Sequence, residues 1–398
     1  MPRVSRRNIL AAGAAGGMLT AAIQSKAQQA AIRGPQNPDL TRSNPDSFSP
    51  PVTDHGDTPA FKYSFSVAHN RVQEGGWARQ VTVRDFPLST SMAGVNMRLA
   101  AGSIRELHWH LPAEWAYMLY GQARITAIDL NGASFVRDVG VGDLWYFPSG
   151  IPHSIQGLGP DGCEFLLVFD DGGFSEFDTF QITDWMAHTP RPALAKNFGL
   201  AESAFADIPK HELYIFPGQV PGPIANDKRA AEHDEPVAAR EFAFALNLQE
   251  PTKRTRGGEV HIVDSGTFHA STTIAAARVT VRPGGMRELH WHPNADEWQY
   301  YVAGEGRMTV FAASSRARTM DFRAGDVGYV KQSMGHYVEN TGNTDLVFLE
   351  MFRTAQYQEL SLANWMAHTP PELVQAHLHL APGALDSIPH AKQVIVPM

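Results

Sequence analysis

The stretch Arg-Glu-Leu-His-Trp-His stands at residues 105–110 and again at residues 287–292. Each copy is followed by a glutamate and, 39 residues after that glutamate, by another histidine. The two sets are His108, His110, Glu114 and His153, and then His290, His292, Glu297 and His336. Three imidazoles and one carboxylate are typical of a metal site. Because ordinary histidines would not recur in one pattern, the sequence predicts two such sites.

The spacing of the paired histidines indicates a β-strand. Residues i and i+2 of a strand point to the same face, so His108 and His110 can face one ion while Trp109 faces the other way. A turn at Pro112 then allows the next strand to bring Glu114 back beside them. The last histidine is expected from a distant strand of the same sheet. Mixed imidazole and carboxylate ligation suits manganese, iron, zinc or copper better than calcium or magnesium.

The repeat extends beyond these residues. Gly75-Gly76 recurs as Gly257-Gly258, and Gly142-Asp143 recurs as Gly325-Asp326. Trp-Met-Ala-His-Thr-Pro occurs at residues 185–190 and at residues 365–370. The chain is therefore predicted to contain two copies of one domain.

Short apolar runs separated by Gly and Pro predict an all-β domain, a small antiparallel sandwich or barrel. The predicted strands lie at 123–130, 144–147, 165–169, 307–311 and 346–352. After each Trp-Met-Ala-His, the threonine is predicted to cap a short helix, with Glu372 completing a capping box with Thr369. His188 and His368 in these segments are assigned to packing.

Five regions follow from these patterns. Residues 1–27 are predicted to be a twin-arginine signal peptide and residues 28–57 an extended N-terminal arm. The first barrel, with a lid loop, is placed at 58–220, a linker at 221–240 and the second barrel at 241–398. Arg6-Arg7 precedes a stretch that is too short and too glycine-rich to span a bilayer comfortably, so we expect export to the periplasm or medium without stable membrane insertion.

Composition limits the classes of partner. The 398 residues carry a net charge of −8, and the first 27 residues contain four of the basic side chains and no acidic one. No basic stripe is left for nucleic acid. Cys163 is the only cysteine, which excludes an intramolecular disulfide.

The chain resembles the bicupins and, within them, the oxalate decarboxylases, over nearly everything after the signal. The resemblance rests on Asn37-Pro38-Asp39, both Arg-Glu-Leu-His-Trp-His stretches, and residues 142–150 and 325–329. It implies two tandem cupin (jelly-roll-like) β-barrels with short flanking helices. It also implies Mn²⁺ in each barrel, held by the eight residues above, with oxalate as substrate, dioxygen as catalytic co-substrate, formate and carbon dioxide as products, and a homo-oligomer built from trimers.

Two arginines are candidates for binding the substrate carboxylate. Oxalate loses carbon dioxide readily only after one electron is withdrawn, so the catalytic ion must be redox-active. Arg105 and Arg287 lie three residues before the first histidine and have the opposite strand parity, so a bulge or a local twist is needed to turn them toward the metal. There each could grip a carboxylate in a bidentate manner, as the resemblance also implies. The alternative is a structural salt bridge.

The candidate proton donor is Glu176, in the glycine-containing loop 172–179. A general acid beside the substrate carbon favours formate, whereas its absence favours carbon dioxide and peroxide. The loop resembles the Ser-Glu-Asn-Ser-Thr lid of the family, but Phe177 and Asp178 replace Asn and Ser. The second barrel has no such loop, which places catalysis in the first barrel. Glu350 is the competing acid.

Two other functions remain open at this level. An oxalate oxidase would share the fold, the metal and the arginines, and would release hydrogen peroxide. A non-catalytic bicupin binding protein would share only the barrels.

Overall fold

The structure is a computed structural model that describes residues 34–44, 51, 53–54, 58–231 and 240–397. The strands are β1 (Lys62–Ser64), β2 (Asn70–Gln73), β3 (Gly76–Val81), β4 (Ala93–Leu99), β5 (Ile104–Trp109), β6 (Glu114–Ile128), β7 (Ser134–Gly140), β8 (Leu144–Phe147), β9 (His153–Gly157), β10 (Cys163–Phe169), β11 (Phe180–Gln181), β12 (Ile215–Phe216), β13 (Ala243–Phe244), β14 (Lys253–Thr255), β15 (Gly258–Val263), β16 (Ala275–Val281), β17 (Met286–Trp291), β18 (Glu297–Ala303), β19 (Glu305–Phe311), β20 (Ala317–Arg323), β21 (Asp326–Val330), β22 (Gly335–Asn340), β23 (Leu346–Phe352), β24 (Leu360–Ser361) and β25 (Ile395–Val396). The helices are α1 (Pro38–Ser43), α2 (Ile182–Ala187), α3 (Arg191–Phe198), α4 (Ile224–Ala231), α5 (Leu362–Ala367) and α6 (Pro371–Leu378).

The predicted all-β architecture of two barrels is confirmed. In the first barrel the 15-residue strand β6 pairs with β10 and β8 along its first half and with β7 and β9 along its second half. It therefore joins both faces of the barrel. The second barrel divides the same path into β18 and β19 at Gly304, whose φ of 83° lies in the left-handed region that favours glycine. Four of the five predicted strands lie within observed strands, and the fifth, predicted at 123–130, extends two residues beyond the end of β6 at Ile128.

The two barrels exchange their first strands, which corrects the predicted boundaries at 58 and 241. Strand β1, assigned to the first barrel, pairs with β21 of the second. Strand β13, assigned to the second barrel, pairs with β8 of the first. Phe61 accordingly lies in the core of the second barrel, and Phe242 in that of the first. Strands β1 and β13 thereby cover the edge strands β21 and β8. Each barrel therefore includes a strand from the other sequence repeat.

The regions predicted as arm and linker each contain a helix. Residues 38–43 form α1, which begins after Asn37; the Asn37 side chain accepts hydrogen bonds from the amides of Asp39 and Leu40 at 3.1 Å. Helix α4 lies in the predicted linker, and its Asp227 pairs with Arg124 at 2.5 Å. Neither helix buries a residue. The predicted signal at 1–27 lies outside the described residues. Within the described residues, no helix has the length and apolar character needed to cross a membrane.

The predicted threonine caps and the capping box are wrong. The hydroxyl groups of Thr189 and Thr369 donate backwards to the carbonyls of Trp185 and Trp365, in the preceding helices. Helices α3 and α6 follow Pro190 and Pro370 and have no side-chain cap. The threonine hydroxyl thus bonds to one of the last carbonyls of the helix that ends, and not to the first amides of the helix that begins. The assignment of His188 and His368 to packing is also wrong, because both are exposed and bond to helix carbonyls through Nδ1.

Candidate metal centres and substrate site

A β-bulge places each motif arginine on the same buried side as the histidines. In β5, Arg105 lies opposite Ile155 and His108 opposite His153, so three steps on one strand match two on the other. The same shift separates Arg287 from His290 in β17. Arg105 and Arg287 are 3% and 0% exposed. The bulge that the strand parity required is therefore present in both barrels.

The structure brings both predicted ligand sets together. His108 and His290 lie on β5 and β17, and His110 and His292 directly follow the ends of these strands. The glutamates begin β6 and β18, and the last histidines lie on β9 and β22. Within each set, the potential ligand atoms lie within 4.8 Å of one another and all four residues are buried. Such a buried cluster of nitrogen and oxygen atoms from four residues has the composition of a divalent-metal site.

Each histidine is held in the tautomer that metal binding requires. The Nδ1 atom of His108 lies 2.6 Å from the carbonyl of Glu106, and that of His153 lies 2.8 Å from the carbonyl of Ile151. The other four rings also bond to backbone carbonyls through Nδ1, at 2.7–3.0 Å. A carbonyl only accepts, so Nδ1 carries the proton and Nε2 keeps its lone pair for a metal.

One oxygen of each carboxylate accepts a hydrogen bond that orients the group, and the other oxygen faces the histidines. Glu114 accepts a hydrogen bond from Trp145 Nε1 at 3.0 Å through Oε1, while its Oε2 lies 3.3 Å from His110 Nε2 and 3.5 Å from His153 Nε2. Burial alone would raise the pKa of Glu114, but His153 and His110 hold that pKa well below its usual range. Burial also lowers the pKa of His108 well below its ordinary value, with Arg105 acting in the same direction. Neutral imidazoles and an ionised carboxylate are the forms that bind metals.

The second set differs in how its carboxylate is supported. Glu297 accepts from Gln299 Nε2 at 2.6 Å, and Gln299 in turn accepts from the Tyr301 hydroxyl at 2.8 Å. The free Oε2 of Glu297 lies 2.8 Å from His336 Nε2. Among the described residues, the buried side-chain atoms without a hydrogen-bond partner include Oε2 of Glu297 and the Nε2 atoms of His153, His290, His292 and His336. Buried polar atoms are normally satisfied, so the residues present fit a metal ion at these positions.

The glutamate of each motif, which sequence reasoning left unassigned, anchors a distant segment. Glu106 is 2% exposed and accepts from the amides of Thr183, Leu213 and Tyr214 at 2.7–2.9 Å, as well as from the Thr183 hydroxyl. Glu288 likewise accepts from the Ser361 hydroxyl at 2.8 Å and from the Val394 amide at 2.9 Å. The carboxylate beside the ligands thus fixes the chain that closes the barrel.

We expect Glu106→Ala to destabilise the first barrel by at least about 3 kcal/mol, because three amides, of which that of Tyr214 is buried, each lose a charged acceptor. Denaturant unfolding measures this loss, and Glu202→Ala, an exposed carboxylate, is the matched control. Equal unfolding midpoints for the two variants would show that Glu106 does not anchor this segment.

Arg105 has a buried guanidinium with polar neighbours and no acidic partner. Its Nη1 donates to Gln181 Oε1 at 2.9 Å and to the Tyr214 carbonyl at 3.3 Å, and its guanidinium carbon lies 4.5 Å from the centre of the Tyr214 ring. None of the ion pairs between described residues includes Arg105. Burial lowers its pKa. An anion in this space would offset the cost of burying the cation.

Glu176 lies close to Arg105. It is 7% exposed, in a 3₁₀ helix at Glu176–Asp178, and its Oε2 accepts a hydrogen bond from the Tyr214 hydroxyl. Desolvation raises the pKa of Tyr214 above its usual range, so the phenol keeps its proton. Glu176, Tyr214 and Arg105 therefore form one buried group.

The second barrel uses the equivalent space differently. Arg287 lies 3.2 Å from Glu350 Oε1 and 2.8 Å from the Tyr357 hydroxyl, and it also pairs with Glu359. Lys392 binds Glu359 at 2.6 Å. Against the effect of burial, Glu359, Tyr357 and Glu350 raise the pKa of Arg287. Arg287 thus has the geometry of the structural salt bridge left open as an alternative, and Glu350 is its partner.

Tyr214 is the site residue that sequence reasoning missed. The Trp-Met-Ala-His segments recur 180 residues apart, and at the same offset Tyr214 corresponds to Val394. Both residues have positive φ, 55° and 65°, and both donate their amide to the motif glutamate. The backbone is therefore duplicated while the hydroxyl is not. Comparing the two copies position by position is the signal that could have found it.

Comparisons with known proteins agree with this geometry. A family model described as Cupin matches residues 63–204 and 244–384. The chain is 53% identical to oxalate decarboxylase of Bacillus subtilis over 92% of this chain and 94% of that relative. It is 39% identical to a probable oxalate decarboxylase of Arthroderma benhamiae over 96% and 94%. A solved structure of the Bacillus subtilis enzyme, described in connection with its Mn(II) centres, superposes with a TM-score of 0.88 and 52% identity, covering 92% of this chain and 96% of that chain.

Proposed function

The chain belongs to the bicupin oxalate decarboxylase family, and from this premise we propose that it converts oxalate to formate and carbon dioxide in its first barrel. The observation that supports this proposal is the asymmetry between two otherwise similar sites. In the first barrel a buried arginine without an acidic partner lies beside a buried carboxyl group, whereas the second barrel's arginine is paired. Only the first has charge available for a dianionic substrate.

Manganese is the metal that the comparison with the Bacillus subtilis enzyme supports for both barrels. We propose that manganese, together with dioxygen, supplies the reversible one-electron oxidation that weakens the carbon–carbon bond. The overall reaction consumes one proton: oxalate and a proton give formate and carbon dioxide, with no net use of dioxygen. The chain must therefore deliver a proton to carbon.

Arg105 is proposed to bind and orient one substrate carboxylate. Its two polar contacts are to neutral groups, and a guanidinium can grip a carboxylate through two parallel hydrogen bonds. Gln181 and Tyr214 hold the guanidinium in place, and Gln181 is itself bound by Glu212. The positive charge is thereby held facing the histidines, because the bulge places Arg105 on their side of the strand.

We expect Arg105→Ala to lower kcat/KM for oxalate by about 100-fold or more, because two charge-assisted hydrogen bonds of about 1.5–3 kcal/mol each are lost. Steady-state kinetics measure this, with metal content checked in parallel. Arg98→Ala, whose guanidinium bonds only to backbone carbonyls in the same barrel, is the control. An unchanged kcat/KM in a fully metallated Arg105→Ala variant would contradict the substrate-binding role.

Glu176 is proposed as the proton donor. It is the buried acid of the loop that the second barrel lacks, and the Tyr214 hydroxyl fixes one of its oxygens. The other oxygen is left to hold the transferable proton. Without such transfer, oxalate, dioxygen and two protons would give two carbon dioxide and hydrogen peroxide.

The deciding experiment is to incubate manganese-loaded protein with oxalate in air and to quantify formate and peroxide together. We expect about one formate per oxalate consumed and little peroxide. Peroxide as the main product would establish the oxidase alternative. Neither product, with oxalate binding retained, would establish a non-catalytic binding protein.

Location and assembly are further proposals. We propose export by the twin-arginine route, which replacement of Arg6 and Arg7 by lysine should abolish in cell fractionation. We also propose a homo-oligomer built from trimers. Exposed aromatic side chains such as Trp185 and Trp365, 64% and 61% exposed, support association, which light scattering would test.

A further inference from the structure

Arg71, on β2, contacts the group around Glu176 from the outside. Its guanidinium carbon lies 3.7 Å from the centre of the Tyr214 ring and 5.3 Å from the centre of the Phe177 ring. Its Nη2 pairs with Glu212 at 2.6 Å. Its Nη1 is buried and has no hydrogen-bond partner. The aromatic rings therefore provide the environment of that nitrogen, which is the arrangement of a cation–π contact.

The two rings that Arg71 touches flank the proposed proton donor. Phe177 follows Glu176 directly in the chain, and the Tyr214 hydroxyl donates to Glu176. Phe177 is 69% exposed, so burial in an apolar core does not hold it in place. Arg71 is thus a single side chain that links the loop carrying Glu176 to the residue that orients Glu176.

We propose that Arg71 is a positioning residue for the decarboxylation, which holds Glu176 over the substrate by joining Phe177 to Tyr214. This inference rests on the proposed function. Its chemical consequence is a choice of product: a Glu176 that is held in place protonates carbon, whereas one that drifts lets a second electron leave and gives peroxide.

The second barrel has different residues at all three positions. At the matching offsets Arg71 corresponds to Lys253, Phe177 to Tyr357 and Tyr214 to Val394. Lys253 is exposed, and Tyr357 points to Arg287 instead. Among the described residues of the two barrels, the arginine linked to these two rings therefore accompanies the acidic loop of the first barrel. Phe177 is also a position at which the loop departs from the family's lid, and its ring makes the contact with Arg71.

The test is a set of variants at Arg71 and Phe177, assayed for formate, peroxide, KM and metal content. We expect Arg71→Ala to lower kcat for formate by about tenfold and to raise the peroxide-to-formate ratio several-fold, with KM little changed. Arg71→Lys keeps the ion pair with Glu212 but cannot lie flat on two rings, so most of the altered ratio should remain. Phe177→Ala should shift the ratio in the same direction.

Coupling between the two positions separates positioning from a general structural role. If Arg71 acts through Phe177, the double variant Arg71→Ala/Phe177→Ala should be no worse than Arg71→Ala alone. Arg98→Ala is the control, since its guanidinium lies 5.2 Å from the Tyr120 ring centre in the same barrel and contacts no residue of the loop.

Three results would overturn the inference: an unchanged product ratio in Arg71→Ala, full restoration by Arg71→Lys, or strictly additive effects in the double variant. Each counts only when the wild-type protein produces formate. A wild-type protein that produces none would overturn the proposed function instead, so the two failures are distinguishable.

Discussion

Glu176→Ala should reduce formate production by about 100- to 10,000-fold, the usual contribution of a positioned general acid, while peroxide persists or increases. The reason is that electron withdrawal and loss of carbon dioxide depend on the metal and Arg105, which the substitution leaves in place. Only proton delivery to carbon is lost. The same substrate then proceeds to the fully oxidised product.

The measurement is simultaneous assay of both products on protein of matched metal content. Asp178→Ala is the control, because Asp178 belongs to the same 3₁₀ helix but is exposed. Glu350→Ala provides the contrast: it removes a partner of Arg287, and we expect it chiefly to lower metal retention in the second barrel. The reverse pattern, with formate lost in Glu350→Ala and kept in Glu176→Ala, would assign catalysis to the second barrel.

His153→Ala should nearly abolish formate production and lower the bound manganese by about half. The imidazole contributes one of four ligands in the first set, and it has no hydrogen-bond partner at Nε2 that would compensate. Replacing a residue that hydrogen-bonds to a metal ligand already costs about 10- to 100-fold in metal affinity or activity, so loss of a ligand itself should cost more. Elemental analysis and the formate assay measure the two effects.

Matched histidines make this result specific. His188→Ala is the control, because its side chain is 74% exposed and bonds to a helix carbonyl. His336→Ala should lose the other ion, yet keep a larger share of formate production than His153→Ala. Equal manganese in His153→Ala and wild type would show that the first set does not bind the ion.

The sequence predicted the barrels and the grouping of the eight potential ligands because both follow from local periodicity and from duplication. His108 and His110 share a face wherever a strand forms. A bulge or a local twist before His108 could also be predicted, since Arg105 would otherwise face away from the metal ligands. A bulge is observed between Arg105 and His108 and between Arg287 and His290.

The sequence-based predictions were wrong where a residue can bond to either of two nearby partners, or where a strand can pair with either of two sheets. Thr189 was expected to cap the helix that follows and instead bonds to the helix before it. The first strand of each repeat was expected in its own barrel and instead pairs with the other. Local pattern is the same in both outcomes, and packing of the whole chain selects one.

By itself, the sequence determined two all-β units, each with an inward-facing set of histidines and a glutamate, because strand alternation is a property of neighbouring residues. The five residues that follow Arg105 and Arg287 in the chain are identical. Only the tertiary structure distinguished them, by bringing Gln181 and Tyr214 to one and Glu350 and Glu359 to the other. The charge that a buried arginine can offer a substrate depends on its neighbours in space, and these come from segments more than 60 residues away in the sequence.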